Sequence, residues 1–453
     1  MRYFRAKFLP MFYLMIIVFV IGYLAIALEH PLKVDKSAPA LLIGVITWTL
    51  LMLGHESFHP AHITEGAEAA AHGGGWVVAE LGHHLGEIAS IVFFLLGAMT
   101  IVELVDVHGG FTVITDNIKT TNKVKLLWIL SFLTFFMSAT LDNMTTAVVM
   151  SALLRKLIKD KNDMWFFAGI IIIAANSGGA WSPIGDVTTI MLWIGGQVSL
   201  NIVQNIILPS AVSVIVPLII ASFMLKGNIE RPEVNDDTLG HGDFVSLRQR
   251  KFILILGVSL LLFVPVFKTV THLPPYLGML FGLGVLWLVT EIMHRGKADA
   301  ESTPPDLTVA AVLRRVDVPS ILFFLGILLA VTSLQAAGHL GMLATILDEK
   351  IGNIYIINTI IGILSAIVDN VPLVAGAMGM YPLSVYPMDA TFWQLLAYCA
   401  GTGGSILIIG SAAGVVSMGI LKIDFIWYMK RISLLALAGY LAGVVTYWLM
   451  HNV

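Results

Sequence analysis

The stretch Ser138-Ala139-Thr140-Leu141-Asp142-Asn143 recurs 227 residues later as Ser365-Ala366-Ile367-Val368-Asp369-Asn370, and its reading decides the fold. Each copy sets an aspartate and an asparagine in the middle of a long apolar run. Working outward, Ser177-Gly178-Gly179 through Gly185 recurs as Thr402-Gly403-Gly404 through Gly410 at a shift of 225. Upstream, Ser90-Ile91-Val92-Phe93-Phe94-Leu95 recurs as Ser320-Ile321-Leu322-Phe323-Phe324-Leu325 at a shift of 230. Resemblance among apolar helices in general accounts for the paired phenylalanines but not for two Asp-Asn pairs. Three matches at nearly one offset predict a duplicated chain.

Composition sets the solvent in which that repeat folds. Of 453 residues, 57% are hydrophobic and 12% are charged, whereas a soluble domain is about a quarter charged. So few charges cannot cover the surface of a soluble enzyme. A net charge of −3 leaves no basic excess for nucleic acid, so no such partner is expected. The one cysteine, Cys399, excludes a disulfide framework and a thiolate metal cluster. A polytopic protein partnered by the lipid bilayer remains.

Apolar stretches of about 20 residues cross the hydrocarbon core. They predict crossings near 11–28, 38–54, 86–107, 164–195, 204–224, 251–269, 275–293, 319–336, 392–421 and 432–450. The apolar stretches 124–158 and 354–380 are broken by polar residues at their centres and read as re-entrant hairpins. Hydrophilic stretches near 226–250 and 294–317 are linkers, too short for soluble domains. Arg2, Arg5 and Lys7 before an apolar run, with Ala25-Ile26-Ala27 after it, are compatible with a cleaved signal. A second apolar segment follows closely, which favours a first span.

Charge gives the two copies a sense. The first hairpin's flanks, 108–163, carry Lys119, Lys123, Lys125, Arg155, Lys156, Lys159 and Lys161, while the second's, 337–391, carry only Lys350. Basic ends favour the cytoplasm, so the first hairpin should open inward and the second outward. Five crossings per half, an odd number, also invert the second copy. The expected fold is an all-α polytopic membrane protein: an inverted repeat of five transmembrane helices plus a re-entrant hairpin per half, with discontinuous helices at the midplane. Residues 1–225 form the first repeat, 226–250 a linker and 251–453 the second. This scheme puts the N-terminus outside, against Arg2, Arg5 and Lys7. The long stretch between Lys36 and Lys119, with eight acidic residues and no Lys or Arg, agrees with the scheme.

A carboxylate at the centre of a membrane helix costs about 2.5–3.5 kcal/mol on insertion scales, so its presence points to function. The hairpin tips are Asp142-Asn143-Met144-Thr145-Thr146 and Asp369-Asn370-Val371-Pro372. A second broken element runs from Asn176 through Ser177, Ser182 and Pro183 to Asp186, Thr188 and Thr189, and its counterpart holds Thr402 and Ser405. Broken backbone at this depth is tolerated only around a cavity or protein-buried site. Carboxylates, amides, hydroxyls and carbonyls are hard ligands suited to a small alkali cation. Burial and like-charged neighbours favour the protonated form of a carboxyl. Asp142, Asp369 and Asp186 could therefore hold a proton in the cation's absence and release it on the cation's arrival. The alternative is that they cap half-helices and never touch substrate. Glu103 reads either as a proton relay or as part of a solvated helix end beside Asp106. His55, His59, His62, His72, His83 and His84 lie in a segment read as a solvated loop, with metal binding or pH sensing as the other readings.

These motifs together resemble the NhaD-type sodium/proton antiporters of the ion transporter superfamily. The resemblance covers nearly the whole chain, its specificity concentrated in 138–189 and 365–411. It implies a bacterial inner-membrane antiporter exchanging Na⁺ or Li⁺ for protons, with no cofactor, an elevator-like motion and a homodimeric scaffold. Asp142, Asn143, Asp369 and Asn370 match ion-binding positions, with Na⁺ expected at Asp142 and Asp369. Asn176, Asp186, Thr188 and Thr189 match polar positions of the first unwound helix, and Glu103 a functional glutamate. Ser365 and Ser405 match more loosely, and Thr145, Thr146, Ser177, Ser182 and Thr402 are supporting polar groups.

Dicarboxylate carriers of the superfamily have Ser-Asn-Thr-like tips. Here aspartate replaces that serine twice, which disfavours a multiply charged anion such as citrate or succinate. Arsenite efflux remains the alternative within the superfamily. An intramembrane hydrolase with an Asp142/Asp369 dyad would not need duplicated Gly-Gly segments.

Overall fold

Helices make up the regular structure of the computed structural model, which describes residues 2–27, 29–58, 74–115, 118, 120–230, 245–295, 307–367 and 369–452. In chain order they are α1 (Arg2–Ala27), α2 (Glu29–Leu32), α3 (Ser37–Leu53), α4 (Gly75–Val107), α5 (Thr112–Thr115), α6 (Lys123–Leu141) and α7 (Asn143–Leu157). Next come α8 (Lys161–Ala180), α9 (Val187–Ile194), α10 (Asn201–Met224), α11 (Leu247–Thr271), α12 (Pro275–Arg295), α13 (Val309–Leu313) and α14 (Val318–Ala336). The last are α15 (His339–Lys350), α16 (Ile354–Leu364), α17 (Asn370–Met380), α18 (Thr391–Gly403), α19 (Ala412–Leu421), α20 (Phe425–Arg431) and α21 (Ser433–Asn452).

Among the described residues, eight helices are long and apolar enough to cross a membrane: α4, α6, α8, α10, α11, α12, α14 and α21. Large apolar side chains on these helices stand in the open, Phe223 at 81% exposure being the extreme. In water such faces would drive aggregation; in a bilayer they meet acyl chains. The protein is an integral, multi-pass membrane protein. Polar residues start its helices: the Asn122 side chain accepts from the Lys125 amide, Asp160 from Asp163, and Ser246 with Gln249 forms a capping box.

The chain forms two compact units, each drawn from both halves of the sequence. The first takes residues 1–92, 317–357 and 371–387. In it α3 runs along α14 with the backbones almost touching, because a Cβ on Gly44 would lie 2.6 Å from the Gly326 carbonyl oxygen. The Trp48 indole donates to the Leu329 carbonyl across the same seam at 2.9 Å. The second unit takes 93–316, 358–370 and 388–453. At its centre α8 is buried continuously from Trp165 to Ala180, as its apolar periphery requires. Helices α6, α7, α10 and α18 pack on it.

Several expected boundaries move. The crossing placed at 86–107 begins at Gly75, so His83 and His84 stand on a helix rather than in a loop. Glu80 and Glu87 lie 3.7 and 3.2 Å from His84, one-turn pairs that support helix over this segment. His59, His62 and His72 lie outside the described residues. The hairpin expected at 124–158 is α6 and α7, and α6 alone is long enough to cross. The one expected at 354–380 is the shorter pair α16 and α17. Of the linkers, 231–244 and 296–306 lie outside the described residues, as do Lys119 and Val368.

Candidate functional site

Four interruptions in the helices carry the polar residues: Asp142 between α6 and α7, 181–186 between α8 and α9, 365–369 between α16 and α17, and 404–411 between α18 and α19. At the first, Asp142 takes φ 79° and ψ 161°, a conformation strained for any residue with a Cβ. Its carboxylate caps α7, accepting from the Thr145 amide at 2.7 Å and the Thr145 hydroxyl at 2.8 Å. In the second, Pro183 has no amide hydrogen to continue a helix. Unwinding starts at Trp181 and not, as expected, at Asn176, since α8 continues through Ser177-Gly178-Gly179. The glycines there serve contact. A Cβ on Gly178 would strike the Phe135 carbonyl, and one on Gly179 the Gly185 carbonyl.

The repeated motifs make matching contacts. The Ser138 hydroxyl donates to the Ala175 carbonyl, and the Ser365 hydroxyl to the Ala400 carbonyl. Gly403 abuts the Gly362 carbonyl as Gly178 abuts that of Phe135, and Gly404 abuts Gly410 as Gly179 abuts Gly185. Asp186 and Ser411 are related by the shift of 225. Both are extended, at φ −148°, ψ 149° and φ −144°, ψ 152°, and both cap the following half-helix with their side chains.

All four interruptions contribute to one buried network in the second unit. Its hub, Asp186, is 1% exposed. One carboxylate oxygen accepts from the Thr188 amide at 2.8 Å and the Thr188 hydroxyl at 2.9 Å. The other accepts from the Asn143 amide at 2.5 Å, and Asn370 approaches both oxygens at 3.4 Å. Asn143 also donates to the Asn176 side-chain oxygen at 3.1 Å. Asn176, fully buried, passes the connection on, donating to the Ser405 hydroxyl at 2.9 Å and the Ser411 hydroxyl at 2.8 Å. Asp369, half-buried just before α17, is near enough for its charge to act on Asp186, and that of Asp186 acts on Asp142. Asp186 therefore has a like charge on either side of it in the chain, one from each hairpin tip.

The other expected residues divide. Thr189 completes the cap of α9, exchanging hydrogen bonds with the Asp186 backbone. Ser182 stays within its own turn. Thr146, fully buried on α7, has a hydroxyl with no hydrogen-bond partner among the described residues. Ser177 accepts from Ser213, and Thr402 donates to the Tyr398 carbonyl of its own helix, so both turn to packing. Glu103 is not joined to the network among the described residues; its charge interacts with Asp106 and Arg315. Ser411, which the sequence reading left out of the site, belongs to the network. The signal was present, since the repeat offset maps Asp186 onto it.

A multi-pass protein whose interrupted helices converge on buried carboxylates and amides is of the secondary-transporter class. The family described as "Citrate transporter" matches residues 23–397. The chain is 47% identical to "Sodium/proton antiporter 1" of Arabidopsis thaliana, covering 97% of this chain and 72% of that protein. It is 44% identical to "Sodium/proton antiporter 2" of the same plant, covering 97% and 99%. It is 31% identical to "Na(+)/H(+) antiporter NhaD" of Vibrio cholerae, covering 97% and 92%. The chain belongs to the NhaD-type sodium/proton antiporter family, and it is a transporter, not an enzyme.

Proposed function

We propose that the protein exchanges Na⁺ or Li⁺ for protons by competition of the two for buried carboxylates. The observation that carries this reading is the single network drawn from all four interruptions around Asp186. Asp142 and Asp369, each half-buried, are the groups on which cation and proton alternate. Asp186, whose oxygens are already held by Asn143, Thr188 and Asn370, keeps the tips of the two halves in register and adds a fixed negative charge. Helix capping by Asp142 and Asp186 is compatible with this role. Capping uses part of each carboxylate's acceptor capacity and leaves lone pairs for a cation.

The matching contacts of the two halves support a duplicated fold; its inversion, with five crossings and a broken hairpin in each half, rests on the charge bias of the hairpin flanks. We assign alternating access to an elevator-type movement and the assembled state to a homodimer. We assign the protein to a bacterial inner membrane on the sequence resemblance alone; the relatives at 47% and 44% identity are plant proteins. Although the family's description names citrate, a trianion would face Asp142, Asp186 and Asp369, and like charges repel.

The test is ion-dependent proton flux in everted vesicles or proteoliposomes. Na⁺ or Li⁺ should dissipate an imposed ΔpH, and Asp142→Asn or Asp369→Asn should abolish the response. Exchange surviving in both variants would sink the shared-carboxylate mechanism. An ion-insensitive protein that protects cells from arsenite would favour arsenite efflux instead.

A further inference from the structure

Half-helix α9 carries Asp186 and Thr188 at its start, and its far end is held by a cation. The Lys268 ammonium, on α11, donates to the Trp193 carbonyl at 2.8 Å and lies 4.4 Å from the centroid of the Trp193 ring. The last carbonyls of a helix have no partner within it. At this end the Met191 carbonyl accepts from the Gly195 amide at 2.8 Å and that of Leu192 from the Gln197 amide at 2.9 Å. The Trp193 carbonyl has shared or long backbone donors, the Gly195 amide, which also serves Met191, and the Gly196 amide at 3.4 Å, and Lys268 adds a side-chain donor at 2.8 Å. Trp193 is buried and Lys268 half-buried, which favours a cation–π contact over full hydration of the ammonium.

We propose that Lys268 is a positioning residue for the ion site. It fixes the C-terminal end of α9 against α11 and thereby sets where the Asp186 carboxylate stands at the other end. The geometry is that of a short rod. Eight residues of helix span about 12 Å, too few to absorb a displacement by bending, so a shift at Trp193 is delivered to Asp186. The cation also opposes the negative end of the helix dipole, while Asp186 opposes the positive end. The two charges stabilise one orientation of one helix. What is being positioned rests on the antiport reading above.

The experiment compares wild type, Lys268→Met and Lys268→Arg, using amide hydrogen exchange across 187–194 in nanodiscs and Na⁺-dependent ΔpH dissipation in proteoliposomes. Methionine keeps most of the side chain's length and loses the charge and the donor. Lys268→Met should exchange faster at the start of α9, including the Thr188 amide bonded to Asp186. It should also raise the Na⁺ concentration for half-maximal response by about tenfold. The maximal rate should change less than about twofold. Arginine, which keeps charge, donor and stacking, should restore both readouts. Unchanged exchange in 187–194 overturns the proposal whatever the Na⁺ response, because any effect would then be one of charge at a distance. Faster exchange with an unchanged Na⁺ requirement also overturns it, as does failure of arginine to restore either readout. A wild type without Na⁺ or Li⁺ response would overturn the antiport reading instead, leaving the exchange comparison to decide whether Lys268 fixes α9.

Discussion

The Asn143 side-chain amide, on the first residue of α7, donates to the Asp186 carboxylate that caps α9. One interrupted helix thus completes the hydrogen bonding of another.

That bond makes Asn143 a sensitive position. Asn143→Ala leaves an Asp186 oxygen and the Asn176 oxygen each short of a donor, at about 1–3 kcal/mol for each buried group left unsatisfied. Na⁺-driven proton flux should fall at least about tenfold and the melting temperature should drop. Asn143→Asp should be worse in flux, since it faces one carboxylate with another.

Ser411 provides a test on the opposite half. Ser411→Ala removes the cap of α19, worth about 1 kcal/mol, and one of the two acceptors for Asn176. We expect a lower melting temperature together with a higher Na⁺ requirement. Ser411→Thr, which keeps the hydroxyl, should retain both properties near wild type.

Backbone contact predicts a contrast between two glycines. Gly403→Ala drives a Cβ into the Gly362 carbonyl and should prevent recovery of folded protein. Gly341, in α15, has nothing within 4 Å of an added Cβ. Gly341→Ala should be recovered in full and be more stable by about 0.5–1 kcal/mol, the usual gain in a helix. Detergent-solubilised yield and thermal melting separate the two.

A pH dependence of stability follows from His108, just beyond α4. Its Nδ1 faces the Leu104 carbonyl at 2.7 Å, so Nδ1 carries the proton, and Nε2 accepts from His294 Nε2 at 3.0 Å. Burial pushes the His108 imidazole below its usual range. The unfolded chain therefore binds a proton that the folded one rejects, and stability rises with pH until the ring is neutral in both. Melting temperature should fall as pH drops below about 6.5, the unfolding free energy changing by at most about 1.4 kcal/mol per pH unit. His108→Asn should flatten that slope.

The carboxylates and their asparagines were readable in the sequence because a charge in an apolar run is too costly to be incidental. Ser411 was not, since a serine in a membrane helix costs little and only its offset from Asp186 marks it. Lys268 was hidden for a related reason: a lysine near a helix end reads as one whose head reaches the interface, and its bond to Trp193 joins segments 75 residues apart. Glycine pairs read as helix breaks, so the pattern puts the unwinding too early; Gly178 and Gly179 instead let α8 approach neighbouring backbone while remaining helical. Nor could the repeat indicate the two compact units, which draw on both halves and so cut across the order of the chain.

The backbone at Asp142 sets comfort against charge. At φ 79° the residue that fits best is glycine, the one substitution there that relieves the turn while deleting the carboxylate. A library selected only for thermal stability should therefore drift toward glycine at 142. One grown under salt stress should refuse it. The position separates what the fold tolerates from what the organism needs.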